Sequence, residues 1–164
     1  MSRYIAILEL MAALMLPAAA SAEVTAGDAA PQVPPYQARG ASEIAQVGPL
    51  AASLQGKPTV VRIHADWCPA CKATQSMIDD LKRTYAGKIN FVQFDVTNAK
   101  TAAAAQAEAQ NLGLEKFYTA TKAATSTVAV IDPKTGKVLA TFYNDDTIGD
   151  YEMALNDALK AESP

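Results

Sequence analysis

The chain has 164 residues, half of them hydrophobic, with a formal net charge of −3, one histidine and two cysteines. That length accommodates one domain of ordinary size with chain to spare. No basic block stands out, which argues against nucleic acid as a main partner, because binding a phosphate backbone takes a clustered positive patch.

The N-terminus reads as an export signal. Arg3 gives a positive start, Ile5 to Leu16 form an apolar stretch, and Pro17 and a run of alanines follow. Ala20-Ser21-Ala22 fits the small-x-small cleavage pattern, which places the cut after Ala22 and residues 1–22 in a signal peptide. The apolar stretch falls short of the about 20 residues a transmembrane helix needs. Glu9 inside it runs against the pattern, and an uncleaved anchor or a buried first helix are the competing readings. The expected location is the periplasm or the exterior, with no stable membrane span after cleavage.

Residues 23–56 read as a linker and N-terminal extension. Pro31, Pro34 and Pro35 favour extended geometry, Gly27 and Gly40 add freedom, and Ser42 to Leu54 has room for short helical turns limited by Pro49. Residues 57–164 form the domain proper. Thr59 to Ala65 is a nearly continuous apolar stretch rich in β-branched residues, as expected of a strand covered on both faces. A helix follows to about Tyr85, with Met77, Ile78, Leu81 and Tyr85 at helical spacing and Gly87 closing it. Ile89 to Val96 is a second strand, and Thr101 to about Leu112 an Ala-rich helix ended by Gly113. Leu114, Phe117 and Tyr118 indicate a locally packed turn of helix before Ser126. Thr127 to Ile131 and Val138 to Tyr143 form a hairpin around Asp132–Gly136. Ile148 to about Ala161 is a last helix, with Ile148, Tyr151, Met153, Leu155 and Leu159 available for its buried side. The order β-α-β-α-β-β-α predicts an α/β fold: a central mixed sheet of about four strands flanked by helices.

The chemistry lies at the end of the first strand, in Asp66-Trp67-Cys68-Pro69-Ala70-Cys71-Lys72. The two cysteines form one C-x-x-C pair. A structural zinc site would want four ligands, and the lone histidine, His64, lies in the preceding strand. A purely structural disulfide would close a very small loop for little entropic gain. A redox pair makes better sense of the position. Backbone N–H groups at a helix start lack intrahelical partners and favour negative charge. A thiolate at Cys68 is stabilised there, attacks a partner disulfide, and is resolved by Cys71 about one turn away. Pro69 is tolerated because a helix start does not need its N–H. Lys72 is either a nearby positive charge that modulates the thiol or an ordinary solvated residue.

The segment Ala65 to Lys72 resembles the active site of thioredoxin-like proteins, most closely the periplasmic reductase type, and the resemblance covers roughly Lys57 to Ala161. It implies a thioredoxin-like fold, Cys68 as exposed nucleophile, Cys71 as resolving thiol and Trp67 at the substrate surface. It also implies an active-site flank at Ser126 and Thr127. Two positions depart from the family pattern. Ser126 stands where a cis-proline is expected before the third strand; a non-proline cis bond costs several kcal/mol, so the peptide is expected to be trans. Ser126 is then either a polar neighbour of the redox centre or a loop serine. Arg62 stands where many relatives carry a buried acid. It has three readings: paired with Asp95, turned toward Cys71 as a modulator favouring the thiolate, or a strand residue whose head reaches solvent.

The expectation is an exported thiol–disulfide oxidoreductase with no cofactor beyond the Cys68–Cys71 disulfide. It would act on protein disulfides or exchange with an upstream redox protein. A module that binds or delivers copper through Cys68 and Cys71, with His64 or Ser126, is the alternative.

Overall fold

The computed structural model describes residues 44–162. The signal-peptide reading, its cut after Ala22, and residues 23–43 of the extension lie outside these residues. Four strands form one sheet: β1 (Thr59–His64), β2 (Asn90–Asp95), β3 (Thr127–Ile131) and β4 (Val138–Tyr143), in the order β2-β1-β3-β4. β1 runs parallel to β2 and antiparallel to β3, and β3 pairs antiparallel with β4. Around them lie α1 (Pro69–Ala73), α2 (Gln75–Thr84), α3 (Ala99–Leu112), α4 (Glu115–Thr121) and α5 (Ile148–Glu162).

Side chains alternate across a strand, and here both faces are covered. Val60, Val128, Val130, Ala140 and Phe142 pack with Ile78 and Leu81 of α2 and Tyr151 and Leu155 of α5. Val61, Ile63, Phe94, Ala129 and Ile131 face Ala105 and Ala109 of α3 and Phe117 and Tyr118 of α4. Phe142 stacks on Tyr151 with ring centroids 4.0 Å apart, and Phe94 meets Tyr118 edge-on at 5.3 Å. This double burial is why β3 is apolar at every position after Thr127 and why β1 sets Val60, Val61 and Ile63 across its two faces.

The single helix expected after Cys68 is two. Thr74, between α1 and α2, turns its hydroxyl back onto the Ala70 carbonyl at 2.9 Å, a local bond known to bend helices. α3 starts earlier than its apolar pattern indicates, because Asn98 caps it by accepting from the N–H groups of Lys100 and Thr101. The turn of helix expected from Leu114 onward is α4. In α5, Tyr151, Ala154, Leu155 and Ala158 are buried and Leu159 packs partly against them. Ile148 and Met153, expected on the buried side, are 39 % and 41 % exposed. The small alanines at 154 and 158 make the close face instead.

Part of the stretch read as linker and extension belongs to the core: Val47, Leu50 and Leu54 are buried beside α4 and β3. Val47 N–H donates to the Gly136 carbonyl at 2.8 Å, and Val138 N–H to the Ala45 carbonyl at 3.0 Å. This strap crosses the β3–β4 turn so closely that a Cβ on Gly136 would fall on the backbone of Gly48. Gly87 has a similar positive φ of 75° but open space around it. Gly87→Ala should therefore cost only the about 1–2 kcal/mol of a left-handed L-residue. Gly136→Ala should cost clearly more, because it also displaces the strap. Urea denaturation of the two variants checks this, and equal losses would contradict the strap's role.

Candidate active site

Because β1 and β2 are parallel, their C-terminal ends lie side by side, where open α/β sheets present their sites. The turn leaving β1 is tied to the residue just past β2. Asp66 N–H donates to Thr97 Oγ1 at 3.0 Å, and the Trp67 indole N–H donates to the Thr97 carbonyl at 2.9 Å. Thr97 N–H in turn donates to Asp95 Oδ1 at 2.7 Å. Hydrogen bonding from Thr97 holds the Asp95 carboxyl below the usual range against the opposing effect of burial. Trp67 is thus anchored at one edge while 60 % of it stays exposed.

Cys68 is the N-cap of α1, with Pro69 at the first helical position, and its Sγ accepts the Cys71 N–H at 3.1 Å. Both cysteines are free thiols. Cys68 keeps 3 % exposure and Cys71 none, so an incoming sulfur meets Cys68 first. Burial pushes the Cys68 thiol up, but hydrogen bonds from the side chains of Cys71 and Thr125 and the backbone of Cys71 and Ala70 outweigh it and leave the thiol lowered. Cys71 moves the opposite way. Burial raises it most, its bond to Cys68 and the Cys68 charge add to this, and the Ala65 backbone and Arg62 pull down without reversing it. The pair is split into a thiol that ionises readily and one that holds its proton, one helical turn apart.

The flank departs from the family pattern in an ordered way. Ser126 is buried and trans, at a φ of 69°, a conformation sparsely populated by residues other than glycine. Its N–H donates to the Ile63 carbonyl at 2.9 Å, a bond no proline can make. That same carbonyl lies 3.9 Å from Cys71 Sγ. Thr127 turns its hydroxyl onto the Ala124 carbonyl at 2.7 Å and so braces the turn. Lys72 is exposed on α1, and the leading causes of both thiol shifts are other groups. His64, at the end of β1, has Nε2 3.2 Å from Asp66 Oδ1.

Arg62 is 2 % exposed, so its head does not reach solvent. Nor is Asp95 its partner: the strand register sets Arg62 opposite Gln93 and Asp95 opposite His64. The guanidinium lies beneath the cysteine motif, donating from Nη2 to the Cys71 carbonyl at 2.7 Å and from Nη1 to Gln75 Oε1 at 2.8 Å.

Thr97, Thr125 and Gln75 carry no motif and escape a reading of the sequence. Thr125 had the nearest signal, since it immediately precedes the residue in the cis-proline position. Thr125→Val should remove one donor from the Cys68 sulfur and raise its pKa. The pH at which iodoacetamide labels Cys68 half-maximally should rise while thermal stability is nearly unchanged. An unmoved labelling profile would remove Thr125 from the site.

The thioredoxin family profile matches residues 50–135, more than half of the chain. Among curated relatives, a thiol:disulfide interchange protein TxlA homolog of Synechocystis is 43 % identical over 53 residues, covering 32 % of this chain and 29 % of the relative. The chloroplastic thioredoxin-like protein HCF164 of Arabidopsis thaliana is 41 % identical over 49 residues, covering 30 % and 19 %. Thioredoxin C-2 of Corynebacterium nephridii is 39 % identical over 46 residues, covering 28 % and 43 %. The matches thus span less than half of these relatives. A solved thiol:disulfide interchange protein of the thioredoxin family from Chlorobium tepidum is 21 % identical, with 66 % of this chain and 83 % of that one covered and a TM-score of 0.47. Given the profile match over more than half of the chain, from β1 through the cysteine motif to β3, this chain belongs to the thioredoxin family.

Proposed function

We propose that the chain is an exported thiol–disulfide oxidoreductase that reduces disulfides of other proteins through Cys68 and Cys71. The observation that carries the reading is the split pair: a barely exposed thiol with a lowered pKa beside a fully buried one with a raised pKa. The Cys68 thiolate attacks one sulfur of a substrate disulfide, forming a mixed disulfide and releasing the other sulfur as a thiolate that takes up a proton. Cys71 then loses its proton and attacks the Cys68 sulfur. The mixed disulfide breaks, the second substrate thiol leaves, and Cys68–Cys71 remains as the new disulfide. Two electrons have passed to the substrate, and an upstream dithiol protein must return two to the chain. The exposed face of Trp67 borders the path to Cys68, and the pair itself is the only redox group the scheme requires.

The sulfur assignments predict distinct variant behaviour. In an insulin-reduction assay with dithiothreitol as donor, Cys68→Ser should fall to background. Cys71→Ser should accumulate a mixed disulfide at Cys68, visible by mass spectrometry, with little turnover. Equal trapping by both variants would contradict the assignment.

Export rests on the signal-like sequence of residues 1–22. Among the described residues, no helix is long and apolar enough to cross a membrane. Expressed with its full N-terminus in a Gram-negative host, the chain should be recovered from the periplasm beginning at Glu23. Recovery from the cytoplasm beginning at Met1 would refute export. Among the described residues no group of three or more His, Cys, Asp or Glu side chains converges, so the copper reading rests on the Cys68–Cys71 pair.

A further inference from the structure

Among the described residues, Arg62 is the only charged side chain in the buried set. Its partners are neutral: the Cys71 carbonyl, Gln75 Oε1 and, at 3.5 Å, Thr74 Oγ1, while Nε has none. No carboxylate lies within ion-pair distance of it among the described residues. The nearest link to an acid is indirect, through Gln75, whose amide donates to Asp79 Oδ1 at 3.0 Å. The cavity beside it is walled by Val60, Ile78, Phe91, Gln93 and Lys82, so the one charged neighbour there is another cation. From α5, Tyr151 is sensitive to the Arg62 charge, but burial pushes its phenol well up, so it stays neutral. On β1, His64 is engaged with Asp66.

Burying a guanidinium without an opposite charge is costly. The one group next to it that gains and loses negative charge in the redox cycle is the cysteine pair, whose backbone it grips. We propose that Arg62 is a positioning residue whose buried charge is balanced by the thiolate of the reduced pair, so that it favours the reduced over the oxidised state. This rests on the proposed thiol–disulfide exchange. In that step an external dithiol gives two electrons to the Cys68–Cys71 disulfide and itself becomes a disulfide. The S–S bond breaks to one thiolate and one thiol, and one proton is released to solvent. The oxidised pair is neutral and leaves Arg62 uncompensated; the reduced pair supplies the counter-charge. A cation here therefore raises the reduction potential above that set by a neutral residue.

The test compares wild type with Arg62→Met, Arg62→Gln and Arg62→Lys in glutathione redox buffers. Both neutral variants should shift the exchange constant about tenfold toward the disulfide, which is about 30 mV more negative for a two-electron couple. Arg62→Lys should recover at least half of that shift on a logarithmic scale. A merely structural role would lower the stability of both redox states alike and leave the potential in place, and that result would overturn the proposal. Arg62→Gln can still donate to the Cys71 carbonyl and guards against misfolding of Arg62→Met. Wild type provides a readout that needs no variant. The buried Arg62 Nε–H resonance should titrate with the cysteine pair, whose Cys71 carbonyl the guanidinium holds, in reduced protein and stay fixed in oxidised protein. A resonance blind to redox state would also overturn the proposal. If wild type forms no Cys68–Cys71 disulfide in these buffers, the exchange reading itself fails, a result distinct from unchanged variants of a pair that cycles.

Discussion

The hydrogen bond from the Cys71 N–H to Cys68 Sγ, 3.1 Å long at the first turn of α1, is the contact on which the site depends. It exists only if Cys68 is the N-cap and Cys71 sits one turn later, so the helix start, the cysteine spacing and the ionisation of Cys68 are one constraint. A sulfur in that position accepts a donor already held by the backbone. Ionisation therefore requires little rearrangement, which is how preorganised donors act on developing charge. The remaining interactions keep α1 where this bond can form. Thr97 ties the preceding turn to the end of β2, and Ser126 N–H fixes the Ile63 carbonyl against which Cys71 packs.

The sheet beneath the site explains why these ties hold. β1 is buried on both faces, and a slip of one residue against β2 and β3 would carry Arg62 to the opposite face, away from the Cys71 carbonyl and Gln75. Arg62 occupies a position of β1 that pattern alone would assign to an apolar residue, directly under the α1–α2 junction. The bend at Thr74 leaves backbone and side-chain acceptors there that the guanidinium can reach. The kink and the arginine are thus complementary.

Much of the fold was legible because its determinants are local or periodic. The continuous apolar strands, the Gly113 helix stop and the Asp132–Gly136 turn each declare an element from its own residues. The C-x-x-C pair at a strand-to-helix junction likewise declared the chemistry. What was not legible depends on contacts between distant residues. The bend at Thr74 needs a side chain turned onto its own helix, which a helical period of Met77, Ile78 and Leu81 does not report. The surface placement of Ile148 and Met153 follows from how α5 meets Phe142. The surroundings of Arg62 required knowing that β1 pairs residue for residue with β2, since a reading by sequence alone made Asp95 a candidate partner. Thr97 and Thr125 come to the site from separate loops; Thr97 carries no signal beyond being a threonine, and Thr125 only its place before Ser126.

The most direct measurement is the redox equilibrium of the chain from Glu23 onward across a dithiothreitol series, with thiols alkylated and counted by mass spectrometry. One two-electron transition is expected, in which Cys68 and Cys71 lose and gain their thiols together. A chain in which Cys68 forms only mixed disulfides with the reagent, while Cys71 remains a thiol throughout, would contradict it.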